Sequence, residues 1–295
     1  KYNNELELLQ KQSVGLSHQS YNIDGHQWAL ALDAATQVSC FRSDLIKSLP
    51  ISWEELFKLS QNKRVIWPLK PVHAISSFYS IYNNITEEFE PNNKDFIQND
   101  FGVKTLQMMK LISQHLSSEC FDMDPIKTAE ILSEHNDFYY SPYTYGFSNY
   151  SRTGYRKNLL TYENVIDLSG KGPYGTHLGG TGIAISNKSK NKDLALEYSY
   201  WIAGSECQQT IFYSSGGQPG NSDAWENTTI NSETNNFFKN TRITLDQAWV
   251  RPRHNGYMKF QDESGNIINE YLQSNVNEIN VIDKLKLMYA ESFEE

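Results

Sequence analysis

Helical spacing of apolar residues recurs along several stretches of the chain. Residues 1–10 have the spacing typical of the middle or end of an amphipathic helix, and residues 125–134 predict another helix. Between about Pro71 and Cys120 the pattern predicts two helical segments, separated by a polar loop over residues 84–96. Residues 191–212 predict a long helix whose apolar side chains are mostly buried, namely Leu194, Leu196, Tyr198, Trp201, Ile202 and Phe212.

Two other stretches predict strands. Residues 26–42 contain an apolar run that is interrupted at Asp33 and followed by an alternating, extended segment, and residues 182–186 predict a short strand. Between them, residues 43–61 predict two short helices. The second begins with a capping box, in which Ser52 is the N-cap and Glu55 follows three residues later. This alternation of helices and strands indicates an α/β chain.

Composition narrows the class of protein. The 295 residues suit two domains or one large one, and the net charge of −9 argues against a chain that wraps nucleic acid or lies on anionic lipid, because both need a basic face. No run of residues is long and apolar enough to span a bilayer, and no signal peptide opens the sequence, so any targeting segment would lie outside it. Cys40, Cys120 and Cys207 are odd in number and far apart, which predicts three buried free thiols.

Two glycine clusters bracket the predicted strand and helix of the later half. They are Gly179-Gly180-Thr181-Gly182 and Gly216-Gly217-Gln218-Pro219-Gly220. Glycines grouped in this way allow a sharp bend or the close approach of another group. Phosphate, sugar, another domain and plain turn chemistry all remain open on this pattern alone.

Three segments, taken in order, carry a resemblance to a known family. They are Trp28–Leu59, with its apolar strand, "FRSDLI" and "PISWEEL"; Gly179–Gly220, with "GGTGIAISNKSKN" and "GGQPG"; and Trp249–Leu272. In this order they resemble the extracellular solute-binding proteins of family 1, the sugar-type receptors of ABC importers. The order of the segments is more specific than any one of them.

The resemblance implies an α/β, two-lobed, periplasmic-binding-protein-like fold of type II. Lobe one would comprise residues 1–36 and 178–225, lobe two residues 37–177 and 226–295, with a ligand cleft between them and crossings near Thr36 and Leu178. Members of the family begin with βα units that do not precede Lys1 here. We therefore expect the first lobe to be incomplete at its N-terminus.

The implied function is capture of a small polar solute, a carbohydrate or a small carboxylate-type ligand, by closure of the lobes and without chemical turnover. The partners would be the solute and the transmembrane subunits of an ABC importer, with no nucleic acid. The protein would be an extracellular or periplasmic monomer, attached in one alternative by a lipid anchor outside this sequence. No cofactor, metal ion or catalytic residue is expected.

The expected ligand contacts combine aromatic rings that stack on sugar faces, glycine amides and polar side chains. Arg251 and Arg253 flank Pro252 and would point to the same side, where two guanidinium groups suit an anion. The alternatives are core packing for the aromatic residues, turn capping for Asp33 and salt bridges for the arginines. The predicted set is Trp28, Asp33, Tyr139, Tyr143, Tyr145, Gly179, Gly180, Thr181, Gly217, Gln218, Trp225, Arg251, Arg253 and Tyr257.

Two other functions stay open on the sequence. One is a carbohydrate-active hydrolase or transferase, and the other is a structural or adhesive surface module. No GxSxG elbow, HExxH helix or Walker A loop occurs in the sequence, and no GxGxxG follows a predicted strand. We expect four scattered histidines to form hydrogen bonds at the surface or in the cleft and not to bind metal: His26, His73, His177 and His254.

Overall fold

The computed structural model describes residues 3–86, 89–95 and 97–294. The helices within these residues are α1 (Asn3–Lys11), α2 (Trp53–Gln61), α3 (Pro71–Ile85), α4 (Asn99–Ser113), α5 (Pro125–Glu134), α6 (Lys192–Ala203), α7 (Ser205–Cys207), α8 (Ser222–Glu226), α9 (Thr228–Glu233), α10 (Phe237–Asp246), α11 (Tyr257–Gln273) and α12 (Glu278–Glu291). None of the helices in this part of the chain is long and apolar enough to cross a membrane.

The strands form three small antiparallel sheets. They are β1 (Asn22–Ile23), β2 (His26–Gln27), β3 (Leu30–Ala31), β4 (Gln37–Phe41), β5 (Tyr140–Tyr145), β6 (Thr161–Glu163) and β7 (Gly182–Ile183). β1 pairs with β2, β3 pairs with β7, and β4 lies between β5 and β6. All five residues of β4 are buried, so this strand forms the centre of the largest sheet.

The apolar core is divided into clusters. The largest is built mainly from α3, α4, α11 and α12, with Trp67 among its fully buried side chains, and all of its buried residues fall within the predicted lobe two. A second cluster joins Val14 and Trp225 to Val38 and Phe237, and therefore contains residues of both predicted lobes. A third, small cluster contains only residues of the predicted lobe one. The exact lobe boundaries stay a prediction.

Local sequence signals predict several secondary-structure elements correctly. α1, α3, α4 and α5 occupy the predicted segments. The Ser52 hydroxyl accepts a hydrogen bond from the Glu55 amide at 3.3 Å, and the Glu55 carboxylate accepts one from the Ile51 amide at 3.0 Å, so the capped start of α2 is confirmed. The three cysteines are buried and free, as predicted.

The segment after β4 is a turn, so the prediction of a helix there is wrong. The buried guanidinium of Arg42 donates two hydrogen bonds of 2.7 Å to the carboxylate of Asp44, two residues further along the chain. Arg42 also donates to the carbonyl oxygens of Leu132 and His135. This pairing fixes a tight turn where the sequence pattern predicted a helix.

The predicted long helix differs from the structure in two ways. It ends at Ala203, because Gly204 has an extended backbone, and the shorter α7 follows. The prediction of mostly buried apolar residues is wrong, since the exposed fractions are 67% at Leu194, 49% at Tyr198 and 47% at Trp201. α6 contacts β3, and its buried Ala203 packs with Leu9 and Leu30. The predicted strand 182–186 is also shorter, ending at Ile183.

Candidate ligand-binding site

Four segments that are distant in sequence run side by side in the structure. They are residues 32–36, 176–181, 218–220 and 248–250, and we call them the crossing segments. Ala35 and Gly179 exchange two backbone hydrogen bonds, of 3.3 Å and 2.7 Å. The Leu178 amide donates to the Trp249 carbonyl oxygen at 2.8 Å, and the Trp249 amide donates to Thr176 at 3.0 Å. The segments at Thr36 and Leu178, where the sequence predicts crossings between the lobes, thus lie side by side.

Gln218 holds the crossing segments together with its side-chain amide. Its nitrogen donates to the carbonyl oxygens of Ala34 at 2.9 Å and Gly146 at 3.2 Å, and its oxygen accepts from the Ser148 amide at 2.9 Å. Asp33 lies beside Gln218 at a separate pocket of about 100 Å³. Burial raises the pKa of Asp33 to about 6, partly opposed by a hydrogen bond from the backbone of Gln218.

The glycine clusters allow close packing of these segments. A Cβ atom at Gly179 would lie 2.8 Å from a ring carbon of Tyr145, and one at Gly217 would lie 2.4 Å from the ring of Phe212. Thr181 is exposed, and its carbonyl oxygen accepts hydrogen bonds from the amides of residues 32 and 33. Gly217 and Thr181 therefore contribute to contacts within the protein.

Five predicted residues line one pocket of about 380 Å³: Gly179, Gly180, Arg251, Arg253 and Tyr257. The wall is completed by Ser20 and Tyr21, by Leu178, and by neighbouring residues of the segment 250–258. Its lining therefore comes from residues of both predicted lobes. A larger groove of about 800 Å³ lies along α8–α10, but Trp225 is the single predicted residue that lines it among the described residues. We take the pocket of about 380 Å³ as the candidate site.

The two arginines of the pocket are held by neutral acceptors. Arg251 is half-buried, and its guanidinium donates a hydrogen bond of 3.0 Å to the side-chain oxygen of Gln261. Arg253 is exposed and donates to the backbone carbonyl oxygen of Ser20. Both arginines line the same pocket, with the buried Pro252 between them in sequence.

Uncharged polar groups lie behind this wall. The ring of His177 is 5.9 Å from that of Tyr145 and 5.7 Å from that of Trp249. Burial, together with the nearby charges of Arg251 and His73, lowers the pKa of His177 to about 3. Burial likewise raises the pKa of the Tyr145 and Tyr257 hydroxyls, partly opposed by the charge of Arg251. At neutral pH these side chains are uncharged hydrogen-bonding groups around a cationic pocket.

Two predicted aromatic contacts lie in the core. The ring of Tyr143 is fully buried and stacks on Trp67, with centroids 5.9 Å apart. Trp225 is 3% exposed, and its indole nitrogen donates a hydrogen bond of 2.7 Å to the Pro219 carbonyl oxygen. The structure places both in apolar packing, which is the alternative that the sequence left open.

Two further predicted aromatic residues lie away from the candidate site. The guanidinium of Arg64 is 5.0 Å from the ring centroid of Tyr139, and neither residue lines the pocket. Trp28 is 65% exposed and borders a separate pocket of about 300 Å³, together with Leu30 and Tyr200. Tyr145 lies next to Gly179 behind the pocket wall. The predicted residues are therefore divided among several places in the structure.

Sequence reasoning missed several pocket residues. Ser20 and Tyr21 belong to a single helical turn far from the other lining residues in sequence, and no local pattern marks them. His254, which the sequence placed among the hydrogen-bonding histidines of the surface or cleft, also lines the pocket. Its ring stacks on Phe293 with centroids 3.9 Å apart, and its Nε2 atom is 2.8 Å from the Ser292 hydroxyl.

Sequence comparison finds one distant relative among curated proteins. No protein-family model matches the chain. The arabinooligosaccharide-binding protein of Bacillus subtilis (strain 168) is 24% identical over 217 residues, an alignment that covers 63% of this chain and 46% of the relative. The chain thus spans about half the length of the curated protein that it matches.

Solved structures show the fold. Maltose-bound MalE3 of T. maritima has a TM-score of 0.82 at 13% identity, covering 98% of this chain and 78% of that one. A solute-binding protein of Agrobacterium radiobacter K84 in complex with ribitol has a TM-score of 0.80 at 18% identity, covering 99% of this chain and 77% of that one. The predicted fold is therefore confirmed: the chain has the two-lobed, periplasmic-binding-protein-like fold and is similar to the sugar-type solute-binding proteins of ABC importers.

Proposed function

We propose that the chain is the solute-binding component of an ABC importer and that it captures a small polar solute of carbohydrate type. The observation that carries this proposal is the pocket of about 380 Å³, whose wall is built jointly from the segment at Ser20–Tyr21, the crossing segment at 178–180 and the segment 250–258. Its volume is within the range of small-molecule sites. The names of the similar proteins, which refer to an arabinooligosaccharide, maltose and ribitol, support the same class of ligand.

Binding would act by closure of the two lobes. A solute that contacts both walls of the pocket stabilises the closed arrangement by the difference in its affinity for the closed and open forms. Tyr21 lines the pocket and can stack on the apolar face of a sugar, and the buried Tyr257 completes the wall. The guanidinium groups of Arg251 and Arg253 supply hydrogen-bond donors for oxygen atoms.

The chemistry of the pocket favours binding over catalysis. Glycoside hydrolysis uses a pair of carboxyl groups on either side of the scissile bond. The described residues that line this pocket include neither Asp nor Glu. We therefore favour a receptor that releases its ligand unchanged over a carbohydrate-active enzyme, and turnover of a sugar is an outcome that the experiment below tests.

The proposed receptor would work as a monomer outside the cytoplasmic membrane. Its closed form would be read by the transmembrane subunits of the importer, to which it would deliver the solute. This part of the proposal rests on the fold that the chain shares with MalE3 and with the ribitol-bound solute-binding protein. No cofactor or metal ion takes part in it.

A ligand screen of the purified 295-residue chain tests the function. We expect at least one member of a panel of neutral saccharides, acidic saccharides and polyols to raise the melting temperature, because a ligand at a hundred times its Kd stabilises by about 2.7 kcal/mol. Native mass spectrometry should show one unchanged ligand per chain, and small-angle scattering a smaller radius of gyration. Conversion of the ligand would favour the enzyme, and no response across the panel would contradict the receptor.

A further inference from the structure

The charge at the candidate pocket is opposite in sign to that of the whole chain. The chain carries 35 acidic and 26 basic residues. Yet the described residues of the pocket wall contribute two guanidinium groups and no carboxylate. A cationic concavity on an acidic protein attracts anions locally, and it is a feature that the net charge alone would hide.

The two arginines have no ion-pair partner among the described residues. The ion pairs found there, with nitrogen and oxygen within 4.0 Å, involve other cations, namely Arg42, Lys58, Lys94, Arg156 and Arg242. Arg251 and Arg253 bind neutral oxygen atoms of Gln261 and Ser20 instead. Since a guanidinium has five N–H donors, these contacts orient the two groups and leave most of their donors for a ligand.

A buried hydroxyl in the same wall gives a second, independent indication of a ligand. Tyr257 is 2% exposed and lines the pocket, yet its hydroxyl has no hydrogen-bond partner. Buried polar atoms in native proteins are nearly always hydrogen-bonded, so an unpartnered one in a pocket wall calls for a polar ligand. His177, adjacent in sequence to the lining residue Leu178, is 4% exposed and has an unpartnered Nδ1 atom.

We infer that this pocket selects a saccharide bearing an anionic group, a carboxylate such as that of a uronic acid, which binds between Arg251 and Arg253. The inference rests on the proposed receptor function and specifies its ligand. Planar guanidinium groups match carboxylate oxygens in geometry as well as in charge. The sugar ring of such a ligand would face Tyr21, and a small movement of the buried Tyr257 on binding would bring its unpartnered hydroxyl to the ligand.

Matched pairs of ligands test the inference on the unmodified chain. Isothermal titration calorimetry would compare glucuronate with glucose, galacturonate with galactose, and glucose 6-phosphate with both acids. We expect a uronate to bind at least tenfold more tightly than its neutral counterpart, with an advantage that shrinks as ionic strength rises. Equal affinity of acid and neutral sugar would overturn the anionic site while leaving the receptor function intact. Tighter binding of glucose 6-phosphate than of either uronate would overturn the assignment of a carboxylate as the anionic group.

Variants locate the anion within the pocket. R251Q and R253Q, separately and together, should weaken uronate binding more than neutral-sugar binding, with at least a tenfold loss of uronate affinity in the double variant, so that the preference for the acid falls towards one. R64Q is the matched control, because Arg64 also donates to a backbone carbonyl oxygen but lies outside the pocket. Uronate affinity unaffected in a folded double variant would contradict the proposal. If no saccharide of either kind binds the unmodified chain, the receptor function itself fails.

Discussion

A Cβ atom placed on Gly180 would lie 2.2 Å from the carbonyl oxygen of Asp33. The backbone of Gly180 also has φ +123°, a conformation that residues with a side chain rarely adopt. The adjacent Thr181 amide donates to the same Asp33 oxygen at 3.3 Å. The glycine cluster in the sequence thus serves the contact between two crossing segments, at the edge of the candidate pocket.

The first prediction concerns this contact. Gly180→Ala should lower the free energy of unfolding by about 2–4 kcal/mol, because it combines a strained backbone with a clash against backbone atoms. Gly154→Ala is the control, since Gly154 has φ +85° but no atom within 4 Å of the added Cβ. It should lose about 1 kcal/mol. Urea denaturation measures both, and equal losses would show that the close approach to Asp33 is relieved by a small shift.

The second prediction concerns two tryptophans, Trp225 and Trp201, whose exposure differs strongly. Trp225→Ala should cost about 3–5 kcal/mol, because the ring is buried against Phe238 with centroids 5.0 Å apart. Trp201→Ala should change stability by less than about 1 kcal/mol, because almost half of its surface is exposed. Thermal unfolding of the two variants provides the measurement. A large loss at Trp201 would mean that its ring is covered in solution.

Local signals account for the parts of the fold that the sequence predicts well. The N-cap of α2 depends on residues three positions apart, and α3 depends on an apolar pattern over its own length. Both signals can be recognised in the sequence without knowing which segments these helices pack against. The Arg251-Pro252-Arg253 segment is similar, since alternation alone places both guanidinium groups on one side.

Tertiary contacts decide the rest of the candidate site. Tyr143 and Tyr145 are two residues apart on β5, but the first is fully buried and the second is half-buried at the strand end near Gly179. Nothing in their local sequence separates the two roles. Ser20 reaches the pocket through a contact with Arg253, 233 positions away. Such long-range pairs have no signature in a single sequence.

The third prediction concerns pH. Burial holds the pKa of His177 near 3, well below its ordinary value of 6.5, so the unfolded chain binds a proton that the folded chain refuses between these values. Above about pH 6.5 His177 therefore does not lower the free energy of unfolding. As the pH falls from there towards 3, the free energy of unfolding decreases. Between pH 7 and pH 5 the loss should be about 2 kcal/mol.

His177→Phe isolates this contribution. Phenylalanine preserves a ring between Tyr145 and Trp249 but cannot be protonated. The difference in unfolding free energy between the wild-type protein and the variant should therefore narrow, or change sign in favour of the variant, as the pH falls from 7 to 5. Urea titrations at several pH values give this difference directly. Parallel pH curves for the two proteins would show that the imidazole is protonated without penalty in the folded state.

The fourth prediction links the crossing segments to ligand binding. The Thr36 hydroxyl is 2.7 Å from that of Thr176 and 2.9 Å from the His177 carbonyl oxygen. Thr36→Val keeps the shape of the side chain but removes these contacts, so the unfolding free energy should fall by about 1–2 kcal/mol. Since residues 178–180 form a wall of the pocket, affinity for the solute found in the ligand screen should also fall, by about threefold or more.

A matched variant distinguishes this coupling from general destabilisation. Thr128 is fully buried in the first turn of α5, and its hydroxyl donates to the Asp124 carbonyl oxygen at 3.0 Å. Thr128→Val should therefore lower stability by about 1 kcal/mol and leave affinity unchanged, because the hydroxyl and its acceptor lie within one helical turn away from the pocket. Calorimetry on both variants decides the point. If Thr36→Val and Thr128→Val bind the solute with equal affinity, the contact between Thr36 and Thr176 supports the fold without shaping the pocket.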